Sequence, residues 1–164
     1  MFTNEYWMRL ALSEAAKAFD LDEVPIGCVI VQNDKVIAKG HNLTEQLKDA
    51  TAHAEMMAIT AASAALESRY LTDVTLYATI EPCPMCAGAI VLSRISKLVF
   101  GAYDAKAGAC GTLYNIPEDA RLNHRVQIVP GVLDTECATI MQDYFRKQRT
   151  KTPAAAGKSI ADRL

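Results

Sequence analysis

The fold is decided by the stretch from Thr75 to Ser93, TLYATIEPCPMCAGAIVLS, in which a predicted strand leads directly into a predicted helix. Thr75–Ile80 is rich in β-branched and apolar residues, which favour a strand, whereas Pro84–Ser93 favours a helix. Pro84 would stand at the first helical position, where its missing N–H costs no hydrogen bond. The stretch therefore predicts a strand, a stiff turn and a helix that begins between two cysteines.

Helices and strands alternate on both sides of this unit. Apolar residues at helical spacing predict a helix at residues 4–19. An Ala- and Met-rich run without Gly or Pro predicts a second at 53–66, and a closing helix with Asp134 or Thr135 as its cap is predicted at 134–149. Four further strands are predicted at residues 24–31, 35–40, 97–101 and 126–129, the first two of which form a hairpin. Residues 102–124 show no clear period and predict a long loop that carries function. The alternation predicts an α/β fold with a mixed five-stranded sheet and helices on both faces.

Length and composition restrict the class of protein. The 164 residues fit one domain, and 51% hydrophobic residues, 22% charged residues and a net charge of −2 are typical of a globular chain. No apolar stretch approaches the roughly 18 residues of a membrane span, and charged residues interrupt the N-terminal segment, unlike a signal peptide. Five cysteines, an odd number, indicate a reducing compartment. We therefore expect a cytoplasmic protein with one domain over residues 1–149 and a disordered tail over residues 150–164.

The charge is unevenly distributed along the chain. Residues 140–164 carry a local net charge of +4, whereas the remainder carries −6. A basic end on an acidic body is typical of a phosphate-binding face. It is also typical of a solvated helix end whose cations complement the helix dipole, and charge alone favours this second interpretation.

Two predicted helix starts carry the residues with metal-binding and acid–base chemistry. Cys83 and Cys86 are three positions apart, so both sulfurs can point to one side at a helix start. The helix dipole and free amide groups there favour thiolates, the form that binds zinc. His53, at the start of the earlier helix, would supply a third ligand and leave tetrahedral zinc one open position for a catalytic water. Glu55, two residues further on, would move protons at that water without occupying the metal.

The cysteines also permit other interpretations. A Cys-x-x-Cys pair between a strand and a helix matches a thioredoxin-type redox pair. The two cysteines alone therefore support zinc binding and redox chemistry about equally. A structural zinc site would need a fourth ligand from Cys28, Cys110 or Cys137, none of which lies in a second Cys-x-x-Cys pair. Cys28 and Cys137 lie in apolar stretches that are typical of core thiols. The remaining histidines, His41 and His124, are expected at the surface or in loops.

The combination of the two motifs is more specific than either part. A lone His-x-Glu favours a carboxylate that only stabilises a helix start. Here His-x-Glu is followed, 30 residues on from His53 to Cys83, by Pro-Cys-x-x-Cys, which is the pattern of zinc nucleobase deaminases. The combined pattern predicts hydrolytic deamination by a zinc-bound hydroxide, with Glu55 as the proton carrier.

Further stretches carry a resemblance to a known family. They read EYWMR at 5–9, VPIG at 24–27, TAHAE at 51–55, EPCPMCAGA at 81–89, SRI at 93–95, GA at 101–102 with DAK at 104–106, NHRV at 123–126 and YFR at 144–146. With these motifs the chain resembles the bacterial tRNA-specific adenosine deaminases (TadA type) from about Glu5 to Arg149. The resemblance implies the three-layer α/β/α fold of the cytidine-deaminase-like superfamily. The core motifs are shared with guanine and cytosine deaminases, so the Asp104 loop and the aromatic–basic ending discriminate further.

The resemblance also implies a substrate. It implies a homodimer with one zinc ion per subunit that converts adenosine to inosine at the wobble position of a tRNA anticodon. The anticodon loop is single-stranded, so its bases can be read individually. In this family the residue at Asn42 would hydrogen-bond the flipped adenine, the backbone amide of Ala54 would orient the base, and Asp104 would contact the nearby sugar.

The RNA path is implied at the end of the last helix. The resemblance gives as its lining residues Phe145, Arg146 and Arg149, with Lys106 and Arg94 as further candidates. On helical spacing alone, Phe145 is instead a core residue. The chain departs from the family at Tyr103, where the relatives carry a basic residue, and at Gln148, which interrupts the basic run. Both departures would change which nucleotides are gripped.

Two other functions remain compatible with the sequence. A small-molecule deaminase that acts on guanine, cytosine or a free nucleoside would need no phosphate contacts. A non-catalytic zinc protein or a redox module would use the same cysteines without any role for Glu55.

Overall fold

Five strands form one mixed sheet in the computed structural model, which describes residues 1–151. The helices are α1 (Asn4–Asp20), α2 (Thr44–Leu47), α3 (Ala54–Ala65), α4 (Pro84–Leu92) and α5 (Asp134–Lys151). The strands are β1 (Gly27–Gln32), β2 (Lys35–His41), β3 (Thr75–Ile80), β4 (Lys97–Ala102) and β5 (Gln127–Val129). The spatial order is β2-β1-β3-β4-β5, with β1 antiparallel to both neighbours and β3, β4 and β5 mutually parallel.

Helices cover both faces of the sheet. Cys28 and Ile30 of β1 pack into a core that includes the buried residues of α3 and α4. Val29 and Val31, on the opposite side of the same strand, pack with buried residues of α1 and with Cys137 of α5. Because β1 is buried on both faces, its sequence is a continuous apolar run and does not alternate between apolar and polar residues. The predicted α/β/α layering and the mixed five-stranded sheet are therefore confirmed.

The start of the first strand was predicted three residues too early. Pro25 has no N–H to give to a ladder, and the N–H of Ile26 bonds the carbonyl of Val24 at 2.8 Å, so Val24–Ile26 forms a turn. The strand begins at Gly27, where a Cβ atom would overlap the backbone of Ala11 and Ala15 in α1. This close approach of helix and strand explains why glycine stands at this position.

The last helix extends past its predicted end. It runs through Thr150 and Lys151, which the sequence pattern had placed in the tail. The rest of the predicted tail, residues 152–164, lies outside the described residues. A short helix, α2, also stands where no element was predicted. Among residues 1–151, no helix combines the length and apolarity that crossing a membrane requires.

The parallel pair β3 and β4 brings the functional loops together. Both strands end at the same edge, where Ile80 lies opposite Ala102 and the N–H of Glu81 bonds the carbonyl of Ala102 at 2.8 Å. The turn that carries the predicted ligands Cys83 and Cys86 follows β3 directly, and the Asp104 loop follows β4 directly. Ligands of open α/β sheets bind at such carboxyl ends of the strands.

Candidate active site

The three predicted metal ligands meet at two helix starts. His53 is the N-cap of α3 and Cys83 is the N-cap of α4, whose first turn contains Cys86. Nδ1 of His53 lies 3.6 Å from each of the two Sγ atoms. The three candidate ligand atoms all lie within 4.8 Å of one another. Two helix N-termini thus deliver one imidazole and two thiols to a single point.

The spacing of these atoms fits a tetrahedral zinc ion. Zinc binds cysteine sulfur at about 2.3 Å and histidine nitrogen at about 2.0 Å, and tetrahedral angles then separate sulfur from nitrogen by about 3.6 Å. The two nitrogen–sulfur distances have this value. Soft sulfur donors with one imidazole exclude magnesium and calcium as preferred ions. The residues present therefore fit a zinc ion with three protein ligands and an open fourth position.

The two cysteines share one negative charge. Hydrogen bonds from Cys86, and to a lesser degree from His53, lower the pKa of Cys83 to about 4 despite its partial burial. The same hydrogen bond, together with burial, raises the pKa of Cys86 far above its usual range. The pair therefore favours one negative charge, which suits the binding of a cation. A divalent cation would take the place of the shared proton, which is released when metal binds.

Glu55 lies beside this cluster without a hydrogen-bond partner for one oxygen. The residue is 2% exposed, and its Oε2 atom is buried with no partner among residues 1–151. Burial raises the pKa of its carboxyl group above the usual value. A buried polar atom without a partner costs free energy, so its retention points to a partner that binds there during function.

Asn42 follows β2 directly, and Ala54 begins α3 directly after His53. Asn42 is buried, and its Nδ2 donates to Thr44 Oγ1 at 3.2 Å and to Glu23 Oε2 at 3.4 Å. The fully buried Ala54 is the first residue of α3, where backbone amides have no partner within the helix. Glu23 was missed in the sequence, where its only signal is an acidic residue directly before the buried Val-Pro run.

The Asp104 loop is held by a carboxylate that sequence reasoning also missed. Glu81 is 1% exposed and accepts hydrogen bonds from the backbone amides of Asp104, Cys110 and Thr112 at 3.1, 3.0 and 2.9 Å. It also accepts from the hydroxyl of Thr112. Burial alone would raise the pKa of Glu81, but these donors together outweigh it and lower the pKa. An acidic residue between a buried strand and Pro-Cys was the available signal.

Asp104 itself shapes its own loop. Its Oδ1 atom accepts from the backbone amides of Lys106 and Ala107 at 2.9 and 3.2 Å. Asp104 is half-buried, so part of the residue remains accessible to solvent. The loop therefore presents Asp104 and Lys106 in a defined arrangement.

Four of the predicted RNA-contacting residues line one groove. The groove has a volume of about 520 Å³ and is lined by Lys106, Met141, Gln142, Phe145, Arg146 and Arg149. Phe145 is 45% exposed, so its interpretation as a core residue is wrong. Arg94 does not belong to this groove. It lies over the ring of Tyr70 at 4.8 Å and lines a separate pocket with Leu92, Leu122 and His124.

Among residues 1–151, the other singled-out side chains are not members of the metal cluster. Cys28 and Cys137 are fully buried core thiols, as predicted. His41 contacts Glu14, its Nδ1 atom lying 3.1 Å from a carboxylate oxygen. His124 lies 2.7 Å from the carbonyl of Ile95 through Nε2. Tyr103 is exposed and packs edge-on against Phe100 at 5.3 Å.

Comparisons with known proteins agree with this geometry. The MafB19-like deaminase family matches residues 2–149. The tRNA-specific adenosine deaminase of Bacillus subtilis (strain 168) is 49% identical over 155 residues, which cover 94% of this chain and 96% of the relative. A solved chain from work on A-to-I editing by tRNA:A34 deaminases at the wobble position has a TM-score of 0.79 and 42% identity, covering 82% of this chain and 98% of that chain. The guanine deaminase of Nitrosomonas europaea shares the fold, with a TM-score of 0.77 at 22% identity over 88% of this chain and 85% of that chain.

Proposed function

Because this chain belongs to the family of tRNA-specific adenosine deaminases, we propose that it converts adenosine at the wobble position of a tRNA anticodon to inosine. The reaction is a hydrolysis, in which oxygen from water replaces the amine at C6 and ammonia leaves. One observation carries the proposal: the unpartnered Oε2 of Glu55 is buried beside the cluster of His53, Cys83 and Cys86. The chain is accordingly a hydrolase.

The metal of this site is zinc, held by His53, Cys83 and Cys86. The 3.6 Å separations between nitrogen and sulfur support this assignment over ions that prefer oxygen ligands. When bound, the ion would supply an activated water as the nucleophile. Removing it with a chelator should abolish turnover and lower the melting temperature, and added zinc should restore both.

Glu55 carries the protons of the reaction. Its Oε2 atom takes a proton from the attacking water and passes it to the ring nitrogen of adenine. The carboxylate then takes the proton of the hydroxyl formed at C6 and gives it to the departing amine, so that the C6 carbonyl forms as the bond from C6 to nitrogen breaks and ammonia leaves. The raised pKa of this buried carboxyl group suits both steps, because a carboxyl group with a pKa closer to neutral both accepts and returns a proton.

The base and the RNA backbone are gripped by separate parts of the site. Asn42 and the amide of Ala54 orient the extruded adenine, and Asp104 contacts its sugar. The groove formed by Lys106, Phe145, Arg146 and Arg149 receives the neighbouring nucleotides. An exposed aromatic ring among cations is suited to single-stranded RNA, because bases stack on the ring while the cations meet phosphates.

The functional unit is a homodimer in the cytoplasm. An exposed apolar patch, formed by Tyr70, Leu92 and Leu122 around one pocket, supports the dimer, since Leu92 is 78% exposed. Unpaired cysteines throughout the described chain support a reducing compartment. The variant Leu92→Glu should convert the dimer to a monomer, as measured by sedimentation.

A substrate panel tests the proposed function. Purified protein is incubated with anticodon stem-loops and, separately, with free guanine, cytosine and adenosine. We expect inosine at one position of one stem-loop, and the double variant R146A/R149A should lower this turnover at least tenfold. Turnover of a free base alone, unaffected by the same double variant, would contradict the proposal and favour a small-molecule deaminase.

A further inference from the structure

The turn between α1 and β1 contacts two segments that carry the proposed substrate site, the helix α5 and the segment around Asn42. It consists of Asp22, whose backbone is left-handed with φ of 57°, and Glu23, whose N–H bonds the carbonyl of Ala18 at 2.9 Å. This geometry points the two carboxylates to different partners. We call the pair the Asp22–Glu23 turn.

Asp22 binds one face of the last helix. Its carbonyl accepts a hydrogen bond from the hydroxyl of Tyr144 at 3.0 Å, and Tyr144 is 7% exposed. Its carboxylate pairs with the ammonium groups of Lys147 and Lys151 at 3.1 and 2.7 Å. Lys147 also lies over the ring of Phe19 at 4.7 Å.

Glu23 binds the residue proposed to read the base. It is fully buried, and its Oε2 atom accepts from Nδ2 of Asn42 at 3.4 Å and from the hydroxyl of Thr44 at 3.2 Å. Its Oε1 atom accepts from the backbone amide of Gln46 at 2.7 Å. A buried carboxylate with three donors fixes the segment that follows β2.

The basic residues of α5 divide between two faces. Successive helical residues are about 100° apart, so Tyr144, Lys147 and Lys151 share one face and Arg146 and Arg149 share another. The first face meets the Asp22–Glu23 turn, and the second lines the groove with Lys106. Charge alone does not separate these two sets.

We infer that the Asp22–Glu23 turn is a positioning element that holds Asn42 in register with the groove face of α5. Lys147 and Lys151 serve this turn and do not contact RNA phosphates. The inference rests on the proposed function for what Asn42 and the groove bind. Asp22 holds α5, whose other face is proposed to bind the RNA backbone, and Glu23 holds Asn42, which is proposed to bind the base. The turn thereby connects the two parts of the proposed site.

Salt dependence separates positioning lysines from phosphate contacts. Stem-loop affinity is measured against salt concentration for the wild type, Arg149→Met and the double variant K147M/K151M. Affinity falls as salt rises, so the slope of log affinity against log salt is negative. Losing one phosphate contact makes this slope shallower by about 0.7 for single-stranded RNA. We expect that loss for Arg149→Met and an unchanged slope for K147M/K151M. A slope that becomes shallower by about 1.4 in K147M/K151M would overturn the inference.

Turnover gives a second readout on the same variants. Misplacing Asn42 disturbs the base at the reacting position, so Tyr144→Phe and K147M/K151M should lower kcat about two- to fivefold while the dissociation constant changes less than twofold. Arg149→Met should act mainly on binding, raising the dissociation constant by a larger factor than it lowers kcat. A higher dissociation constant with normal kcat in K147M/K151M would overturn the inference.

Amide hydrogen exchange tests the coupling without any RNA. In Tyr144→Phe and K147M/K151M, the amide of Gln46 should exchange about two- to fivefold faster, because its acceptor Glu23 follows Asp22 in the chain. Arg121→Met is the matched control, since Arg121 pairs with Asp119 away from the turn. Unchanged exchange at Gln46 would overturn the inference, and this result does not depend on the substrate. Absence of stem-loop turnover in the wild type would contradict the proposed function alone.

Discussion

Two buried glutamates flank the metal cluster, and they differ in their partners. Glu55, at the start of α3, is 2% exposed and leaves Oε2 without a partner among residues 1–151. Glu81, at the end of β3, is 1% exposed and accepts four hydrogen bonds from the loop after β4. The same side chain at the same burial therefore serves two purposes. A carboxylate saturated with donors holds structure, whereas one left without a partner is available for chemistry.

The direction of each pKa records this difference. Burial raises the pKa of Glu55, and the hydrogen bonds it receives are too few to offset that effect. Burial also acts on Glu81, but the hydroxyl of Thr112 and three backbone amides outweigh it and lower the pKa. The same substitution at each position should therefore have opposite consequences for activity and stability.

The largest expected effect comes from Glu55→Gln. The amide cannot accept and return protons, so turnover of the stem-loop should fall by at least about 10²-fold to 10⁴-fold. The free energy of unfolding should not fall, because the change removes a buried carboxylate that lacks a partner. Inosine formation, metal content and denaturant unfolding measure the three quantities. A variant that keeps its zinc and full turnover would contradict the proposed mechanism.

Glu81→Gln should instead act on stability and on the loop. Each oxygen of Glu81 accepts from a backbone N–H, so the NH2 group of glutamine would face a donor in either orientation. The free energy of unfolding should therefore fall by about 2–4 kcal/mol. The Asp104 loop should exchange its amide hydrogens faster while zinc content stays unchanged. Turnover should fall less than in Glu55→Gln, because Glu81 moves no proton. Equal loss of turnover in both variants, with unchanged stability, would remove the distinction between the two glutamates.

Gly108→Ala should disturb the hydrogen bonds between Glu81 and the Asp104 loop by a change in the loop itself. A Cβ atom at Gly108 would overlap the carboxylate of Glu81 and the carbonyl of Asp104. Overpacking of this kind typically costs about 1–3 kcal/mol, measurable by denaturant unfolding. Gly88→Ala is the matched control, since a Cβ atom there meets no other atom within 4 Å and lies inside α4. Its helix should gain about 0.5–1 kcal/mol. A neutral Gly108→Ala would show that the loop moves freely.

Local motifs explain how much of the site could be predicted from the sequence. His53, Cys83 and Cys86 lie at helix starts, and helix starts are visible in a sequence as proline, cysteine and spacing patterns. The order of strands and helices likewise follows from apolar periodicity, and the layering was confirmed. The start of β1 was misplaced because apolar residues continue through Pro25, which cannot join a ladder.

Contacts between distant segments explain what could not be predicted. The partners of Glu81 are mostly backbone amides 23 to 31 positions away, and a backbone amide leaves no trace in residue type. Phe145 was ambiguous because helical spacing does not state which face meets the sheet. The division of α5 into an anchored face and a groove face depends on where α1 ends, which only the folded chain shows.

The smallest effect separates the side chain of Thr112 from its backbone. Its hydroxyl and its amide both donate to Glu81, so Thr112→Val removes one of four donors and keeps the shape. A hydrogen bond to a charged group contributes about 1.5–3 kcal/mol to stability. Because Thr112 is exposed, Thr112→Val should lower the free energy of unfolding by only about 1 kcal/mol. Thr112→Ser keeps the hydroxyl and should retain wild-type stability in the same unfolding measurement. Destabilisation by serine but not by valine would assign the effect to the lost methyl packing, and Glu81 would then hold the loop through backbone amides alone.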